Sequence, residues 1–380
     1  MRSASSLILR SIGLVLLLGG GETIGAGLSD ADVIGVVRDL VVAHHITQPS
    51  VADFQPQSLD GINAALRALD PYSHYFPPNP NRINHGEFVP AKDFGIDLLP
   101  DNGRVIALPR KDGALYEAGF RDQQILVSVD NRDVSSESFA DIGARLTSAA
   151  RNGAVWLELR QTPNTPIQRV RLVSATTRRL PVEVVKVNGH DVVRIHAFVA
   201  RQTRELLMSA LKELDHASNR LILDLRYAGG GDLFEAMDCA SLFLPAGKRL
   251  ATVVDRDGAR QEYHSLENMQ VVRRPVMLLV GPGTASASEV FLRALEHYRR
   301  AYSVGAKTHG KCLSQRQYVL PDGSVLSLSN RRILGPDDRY CEGQGVMPDL
   351  SVEDDMLGDT LALIRRGTEA MTQRPDLTNG

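Results

Sequence analysis

Cysteine is scarce in this chain: there are three among 380 residues, too few for a disulfide scaffold and at spacings that match no zinc pattern. An excess of either charge is also missing. Forty-three Lys and Arg stand against 45 Asp and Glu, a net charge of −2, so no global basic field advertises nucleic-acid binding. Long apolar runs are absent too, which excludes a multi-span membrane protein. Neither G-x-G-x-x-G nor G-x-x-x-x-G-K-[ST] occurs, so the glycines carry no nucleotide fingerprint. No internal repeat is visible. What remains is ordinary globular material, 43% hydrophobic and 23% charged, long enough for two or three domains.

The first residues read as an address. Arg2 and Arg10 precede the short apolar run from Ile12 to Leu18, and small residues follow to Ala26 and Gly27. A basic start, a greasy centre and a small-residue exit make residues 1–26 a signal peptide; an uncleaved anchor or a plain helix are the alternatives. No cysteine near the exit supports lipid attachment. The expected location is therefore exported, periplasmic or extracellular, with the membrane met only through this segment if it stays uncleaved. Such a compartment is oxidising.

Three regimes follow. Residues 28–86 read as a helical N-terminal region: Ser29-Asp30 caps a helix with Val33, Val36, Val37, Leu40 and Val41 on one face, and a second helix runs near Leu59 to Leu69. Residues 90–176 change to short strands with one helix, Glu137 to Leu146, the pattern of a small partly open barrel. Residues 181–355 open with a hairpin closed by Asn188-Gly189. Helices then alternate with apolar strands at Leu221 to Leu225 and Val276 to Val280, Thr203 capping the first helix, which predicts an α/β layer covered on both faces. The stretch from Arg256 to Arg274 yields no pattern. Residues 356–380 form a C-terminal tail or helix.

Two strand ends could carry chemistry. Gly229-Gly230-Gly231, just past the first buried strand, exposes backbone N–H groups, although a flexible turn is the plain alternative. Thr284-Ala285-Ser286-Ala287-Ser288-Glu289 puts small hydroxyls at a helix start, where the macrodipole favours negative charge; Ser288 fits a capping role there. No Ser-His-Asp arrangement suggests itself around Ser286. Lys311 lies in the glycine-rich run after the next strand. Alone it reads as a solvated loop lysine, yet burial would convert it to a general base, with Gln315 able to hold the amine without adding charge.

Taken together, Asp-Leu-Arg-x-x-x-Gly-Gly from Asp224, Thr-Ala-Ser-Ala-Ser-Glu from Thr284 and Gly-x-x-Thr-x-Gly-Lys ending at Lys311 resemble the carboxyl-terminal processing (tail-specific) serine peptidases. Leu69-Asp70-Pro71-Tyr72-Ser73-His74-Tyr75 and Gly343-Gln344-Gly345-Val346-Met347-Pro348-Asp349 continue the likeness, which runs from about residue 30 to 355. The resemblance implies an α/β multi-domain protein with a helical N-terminal part, a PDZ-like small β-barrel and a crotonase-like α/β peptidase core. It implies Ser286 as nucleophile, Lys311 as general base, Gln315 as its orienting partner, and an oxyanion hole from the N–H of Ala287 and of Gly231 or Gly230, Gly231 favoured. Phe94, Gly95 and Ile96 correspond to the loop that receives a peptide carboxylate. No metal and no cofactor are implied. The partners expected are polypeptide substrates, with an adaptor protein and a homo-oligomer left open, and no nucleic acid.

The chain departs from the family at informative places. Tyr227 and Ala228 stand where asparagines are usual, and Cys312 where a glycine follows the lysine. Asp97 sits beside the carboxylate loop and should repel a peptide C-terminus. Cys312 and Cys341 flank the site, so a disulfide between them is expected on export, with Cys239 left as a buried thiol. The expected function is an exported serine endopeptidase. A catalytically idle PDZ-containing binding or scaffolding protein is the alternative, and a hydrolase of another acyl bond a third reading.

Overall fold

Ser29 starts the first helix by a reciprocal cap: its hydroxyl accepts from the Asp32 N–H while the Asp32 carboxylate accepts from the Ser29 N–H. In this computed structural model residues 29–78, 91–101, 104–110, 113–137, 139–177, 180–214, 220–267, 272–353 and 356–373 are described. The expected signal peptide, residues 1–26, lies outside them. Helix α1 (Asp30–His44) and helix α2 (Leu59–Arg67) are short and amphipathic. Their buried Val33, Val37, Val41, Ile62 and Leu66 join Tyr75, Leu326 and Leu328 in one apolar cluster. Strand β1 (His74–Phe76) thus pairs with a strand from near the other end of the chain.

Residues 91–177 hold strands β2 (Ala91–Asp93), β3 (Ile96–Asp101), β4 (Arg104–Pro109), β5 (Gln124–Val129), β6 (Arg132–Asp133), β7 (Ala154–Arg160), β8 (Gln168–Val173) and β9 (Ala175–Thr177), with helices α3 (Ala114–Glu117) and α4 (Phe139–Asn152). An antiparallel sheet runs β3-β4-β5-β7-β8, β6 pairs with β5, and β2 with β9. Helix α4 begins at Phe139 rather than Glu137, whose carboxylate is held by Arg132 and Arg145 in the preceding turn.

The second half holds β10 (Val182–Val187), β11 (His190–Ile195), α5 (Thr203–Glu213), β12 (Leu221–Asp224), α6 (Leu233–Ser241), β13 (Arg249–Asp255), β14 (Arg260–His264), β15 (Val276–Val280), α7 (Ala287–His297), β16 (Ala301–Gly305), β17 (Leu313–Val319), β18 (Val325–Leu334), β19 (Leu350–Ser351) and α8 (Thr360–Thr372). One sheet runs β10-β11-β12-β15-β16-β19, parallel from β11 onward. Leu207, Phe243 and Phe291 cover one face and Leu363, Ile364 and Met371 of α8 the other, which explains why Val276–Val280 is buried throughout. Asn188 and Gly189 both take positive φ, as a two-residue hairpin turn requires. Thr203 is the first residue of its helix, not the cap: its hydroxyl donates to the Ala197 carbonyl and accepts from the Val199 N–H.

A second sheet, β1-β18-β13-β14 with β17 on β18, flanks the first. The segment that showed no sequence pattern contributes β14, a partly exposed edge strand on β13.

Candidate active site

Ser286 sits at the N-terminal boundary of α7 with φ at 57°. A side chain there is strained in the left-handed region, a strain that a surrounding structure must enforce. The enforcement is visible. The Thr284 hydroxyl donates to the Leu225 carbonyl and accepts from the Gly281 N–H, while the Ala285 N–H donates to the Ala228 carbonyl. The two strand-end turns, after β12 and after β15, are thereby tied together. A Cβ on Gly230 would stand 2.7 Å from the Ser286 Cβ and 3.1 Å from the Ala287 nitrogen, so only glycine permits this approach. On Gly231 it would instead strike the Phe198 carbonyl oxygen at 2.2 Å. Of the two glycines, Gly230 is the one in contact with Ser286. Ser288, expected as the cap, is the second residue of the helix and fully buried, its hydroxyl without a partner.

Three residues on, Glu289 is fully buried yet has four donors. Its Oε2 accepts from the N–H of Ser286 at 2.9 Å and of Lys311 at 2.8 Å. Its Oε1 accepts from the Gly310 N–H at 2.8 Å and the Thr308 hydroxyl at 2.6 Å. The backbones of Ser286 and Lys311 therefore hang on one carboxylate oxygen, two hydrogen bonds apart. Sequence reasoning gave Glu289 no role of its own, and the signal was there: a helix-start motif with an acid at its third position.

The Lys311 amine lies 4.9 Å from the centre of the Tyr72 ring. Burial pushes its pKa below the ordinary lysine value, against the pull of the Glu342 and Asp70 carboxylates. Tyr72 donates its hydroxyl to Glu342 and is itself pushed up by burial and by that carboxylate. Asp70, also buried, is raised by burial, but donors from His45, Ser73 and Tyr72 outweigh this and hold it at about 2. His45 accepts the Thr47 N–H at Nδ1, leaving Nε2 to donate to Asp70 at 2.6 Å.

Gln315 departs from expectation. Its amide nitrogen donates to the Leu313 carbonyl and, at 3.2 Å, to the Ser329 hydroxyl, which donates on to Asp70. No hydrogen bond joins it to Lys311, because its amide is engaged by Leu313 on its own strand and by Ser329 on β18.

Asp224 and Arg226 form a buried pair, with Arg226 reaching past it to the Leu357 carbonyl and the Thr360 hydroxyl. The glycine turn is thus anchored to the start of α8. Burial pushes the neighbouring Tyr227 up to about 12.

Away from the core, Phe94 is buried and Gly95 takes φ 65° against Gly113. The Gly95 N–H, a candidate donor to a peptide carboxylate, is taken by Asp93 at 2.8 Å. Asp97, expected to repel such a carboxylate, lies 3.9 Å from Arg110, whose main partner is Asp93 at 2.6 Å. A cavity of about 860 Å³ runs from Asp97 and Arg110 past Glu183, Arg194 and His196 to Tyr227 beside the glycine turn. The expected disulfide between Cys312 and Cys341 is formed, with Cα atoms 5.6 Å apart, and Cys239 is a buried free thiol. Among the described residues no cluster of metal-ligating side chains occurs and no helix is long and apolar enough to cross a membrane.

Residues 191–352 match the family model for peptidase family S41. Over 301 residues the chain is 27% identical to a probable CtpA-like serine protease of Staphylococcus epidermidis, covering 78% of this chain and 60% of that protein. A probable CtpA-like serine protease of Staphylococcus aureus is also 27% identical, with 59% of it covered. The chain thus spans about 60% of the length of these curated relatives. Among solved structures, a photosystem II D1 C-terminal processing protease superposes with a TM-score of 0.64 at 23% identity, over 89% of this chain and 97% of that one. A putative S41 protease from Bacteroides fragilis gives 0.59 at 18% identity, over the same shares. The α/β multi-domain fold is shared with both, and the family likeness carried by the motifs stands over the second half of the chain.

Proposed function

We propose that this chain is an exported serine endopeptidase that cleaves polypeptides, near their C-termini, through a Ser286–Lys311 dyad and an acyl-enzyme. The observation that carries the reading is the shared Glu289 oxygen, which couples the backbone of the strained serine to that of a half-buried lysine. Ser286 attacks the scissile carbonyl, and Lys311, neutral before attack, takes the hydroxyl proton and returns it to the leaving amine. The N–H of Ala287, unbonded as the first of its helix, and one from Gly230 or Gly231 meet the oxyanion. Each such donor is worth about 10²–10³ in rate. Gln315 contributes by bracing Ser329 and Asp70 beneath the lysine.

The domain reading fits this chemistry. Residues 28–86 bring Asp70 and Tyr72 under the lysine, residues 90–176 form a PDZ-like barrel, and residues 181–355 form a crotonase-like core. The cavity from Arg110 to Tyr227 leads a polypeptide from barrel to glycine turn. With its Gly95 N–H engaged, the barrel loop is a weaker carboxylate receptor than a PDZ-like loop with that N–H free.

Purified full chain incubated with casein tests this. Cleavage is expected, abolished in Ser286→Ala and in Lys311→Ala and retained in Lys307→Ala. Intact casein with the unaltered chain would favour the idle binding protein, and a dead Lys307→Ala beside an active Lys311→Ala would overturn the base assignment.

A further inference from the structure

The disulfide is placed where the base is held. Cys312 follows Lys311 directly, and Cys341 opens the turn that buttresses it. That turn touches the lysine loop at successive points: the Gly343 N–H donates to the Gly310 carbonyl, the Cys312 N–H to the Glu342 carboxylate at 2.7 Å, and the Val346 N–H to the Thr308 hydroxyl. Glu342 also receives the hydroxyl of Tyr72, the ring beside the amine. The cross-link therefore fastens the lysine's neighbour to the segment that fixes the lysine's floor. Behind Cys341 lies a second cavity, about 570 Å³, walled by Glu296, His297 and the pair Arg293 and Arg339, both held by Asp337. The cavity gives a small thiol a route to Cys341, which is itself only 4% exposed.

We propose that the Cys312–Cys341 disulfide is a positioning element for Lys311 and that its reduction by a thiol turns the peptidase down at neutral pH. The inference rests on the Ser286–Lys311 reading. In the chemical step a thiolate entering the cavity bonds to the Cys341 sulfur and expels the Cys312 thiolate, which takes a proton. A second thiol then attacks the mixed disulfide and releases Cys341 as a thiol. Two reductant thiols become one disulfide, and the cystine gains their two electrons and two protons. Cut free, the lysine loop admits water to the amine, and the amine's affinity for protons rises. The carboxylates acting on it are Asp70 from the N-terminal segment and Glu342 from the closing turn; the neutral phenols of Tyr72 and Tyr340, with Glu289 and Arg332 beside those rings, complete the titratable and charged surroundings. The near carboxylates among them favour the charged form once desolvation is relieved.

The experiment is casein hydrolysis by the full chain across pH 6–11, before and after treatment with dithiothreitol and after reoxidation, with circular dichroism recorded alongside. Reduction is expected to lower the rate at pH 7 about tenfold and to move the acid limb of kcat/KM up by about one pH unit. Near pH 10 the rates should converge, and reoxidation should restore the original profile. The double variant Cys312→Ala/Cys341→Ala should behave as the reduced protein does under either condition, while Cys239→Ala keeps both activity and sensitivity. A folded, reduced chain with an unmoved limb would overturn the proposal, and so would an equal loss at every pH or simple unfolding on reduction. Failure of the underlying reading looks different: oxidised Lys311→Ala would then still cut casein.

Discussion

Two carboxyl groups withdrawn from water, buried Asp70 and half-buried Glu296 of α7, carry opposite tendencies. Asp70, under the lysine, is held at about 2, and Glu296, on the far end of the helix, is pushed up to about 7. Burial raises both. Asp70 overcomes it because it collects donors from the N–H of Tyr72, the N–H and hydroxyl of Ser73, the Ser329 hydroxyl and His45. Glu296 has the Ser303 hydroxyl alone, and Asp349 stands beside it as a second negative charge. Donor count, more than depth, sets the charge of a buried acid here. The well-donated acids, Asp70 and Glu289, both lie beside the proposed dyad, and the poorly donated one lies at the far end of α7.

The sharpest break comes from Glu289→Gln. An amide offers one accepting oxygen for four donors and turns its own N–H₂ toward the rest. Stability should fall by about 3 kcal/mol, and casein cleavage by about 10²-fold or more as Ser286 and Lys311 lose their common tether. Urea unfolding and initial rates check the two effects separately. Next in size is Asp70→Asn. With a folded value near 2 against about 3.9 unfolded, Asp70 contributes about 2 kcal/mol above pH 4 that disappears as pH falls to 2. Urea midpoints should drop steeply over that range in the parent chain and less in the variant. The smallest effect belongs to Glu296→Gln, with the sign reversed. Its folded value near 7 exceeds the unfolded value of about 4.3, so its contribution is complete below pH 4 and fades as pH rises to 7. The variant should lose that slope and gain about 1 kcal/mol over the parent at pH 8.

Much of the core was legible because its strands are locally decisive. Val276–Val280 reads as buried from five apolar residues in a row, and Asn188-Gly189 fixes its own turn. Ser286 and Lys311 were named only through the motifs' resemblance to a family, whereas the disulfide, expected from two cysteines flanking that stretch in an oxidising compartment, is formed. Illegible were the contacts that sequence distance hides. Nothing local says that Gln315 turns toward Ser329, that Asp70 finds His45, or that Arg110 leans on Asp93. Edge strand β14 escaped because an exposed edge needs no apolar alternation. Ser288 misled because its type suits a cap, while Ser286, with its strained backbone, itself holds that station.

Strand β1 pairs with residues 325–327, and Asp70 is bonded to Ser329 from the same late strand. During synthesis the floor of the lysine seat is therefore made early and its walls almost last. Until β18 and the Glu342 turn have left the ribosome, Tyr72 has no acceptor and the amine no enclosed seat. A half-made chain therefore lacks the seat of the proposed base. On the proposed reading, the order of translation withholds the dyad until the chain is nearly complete.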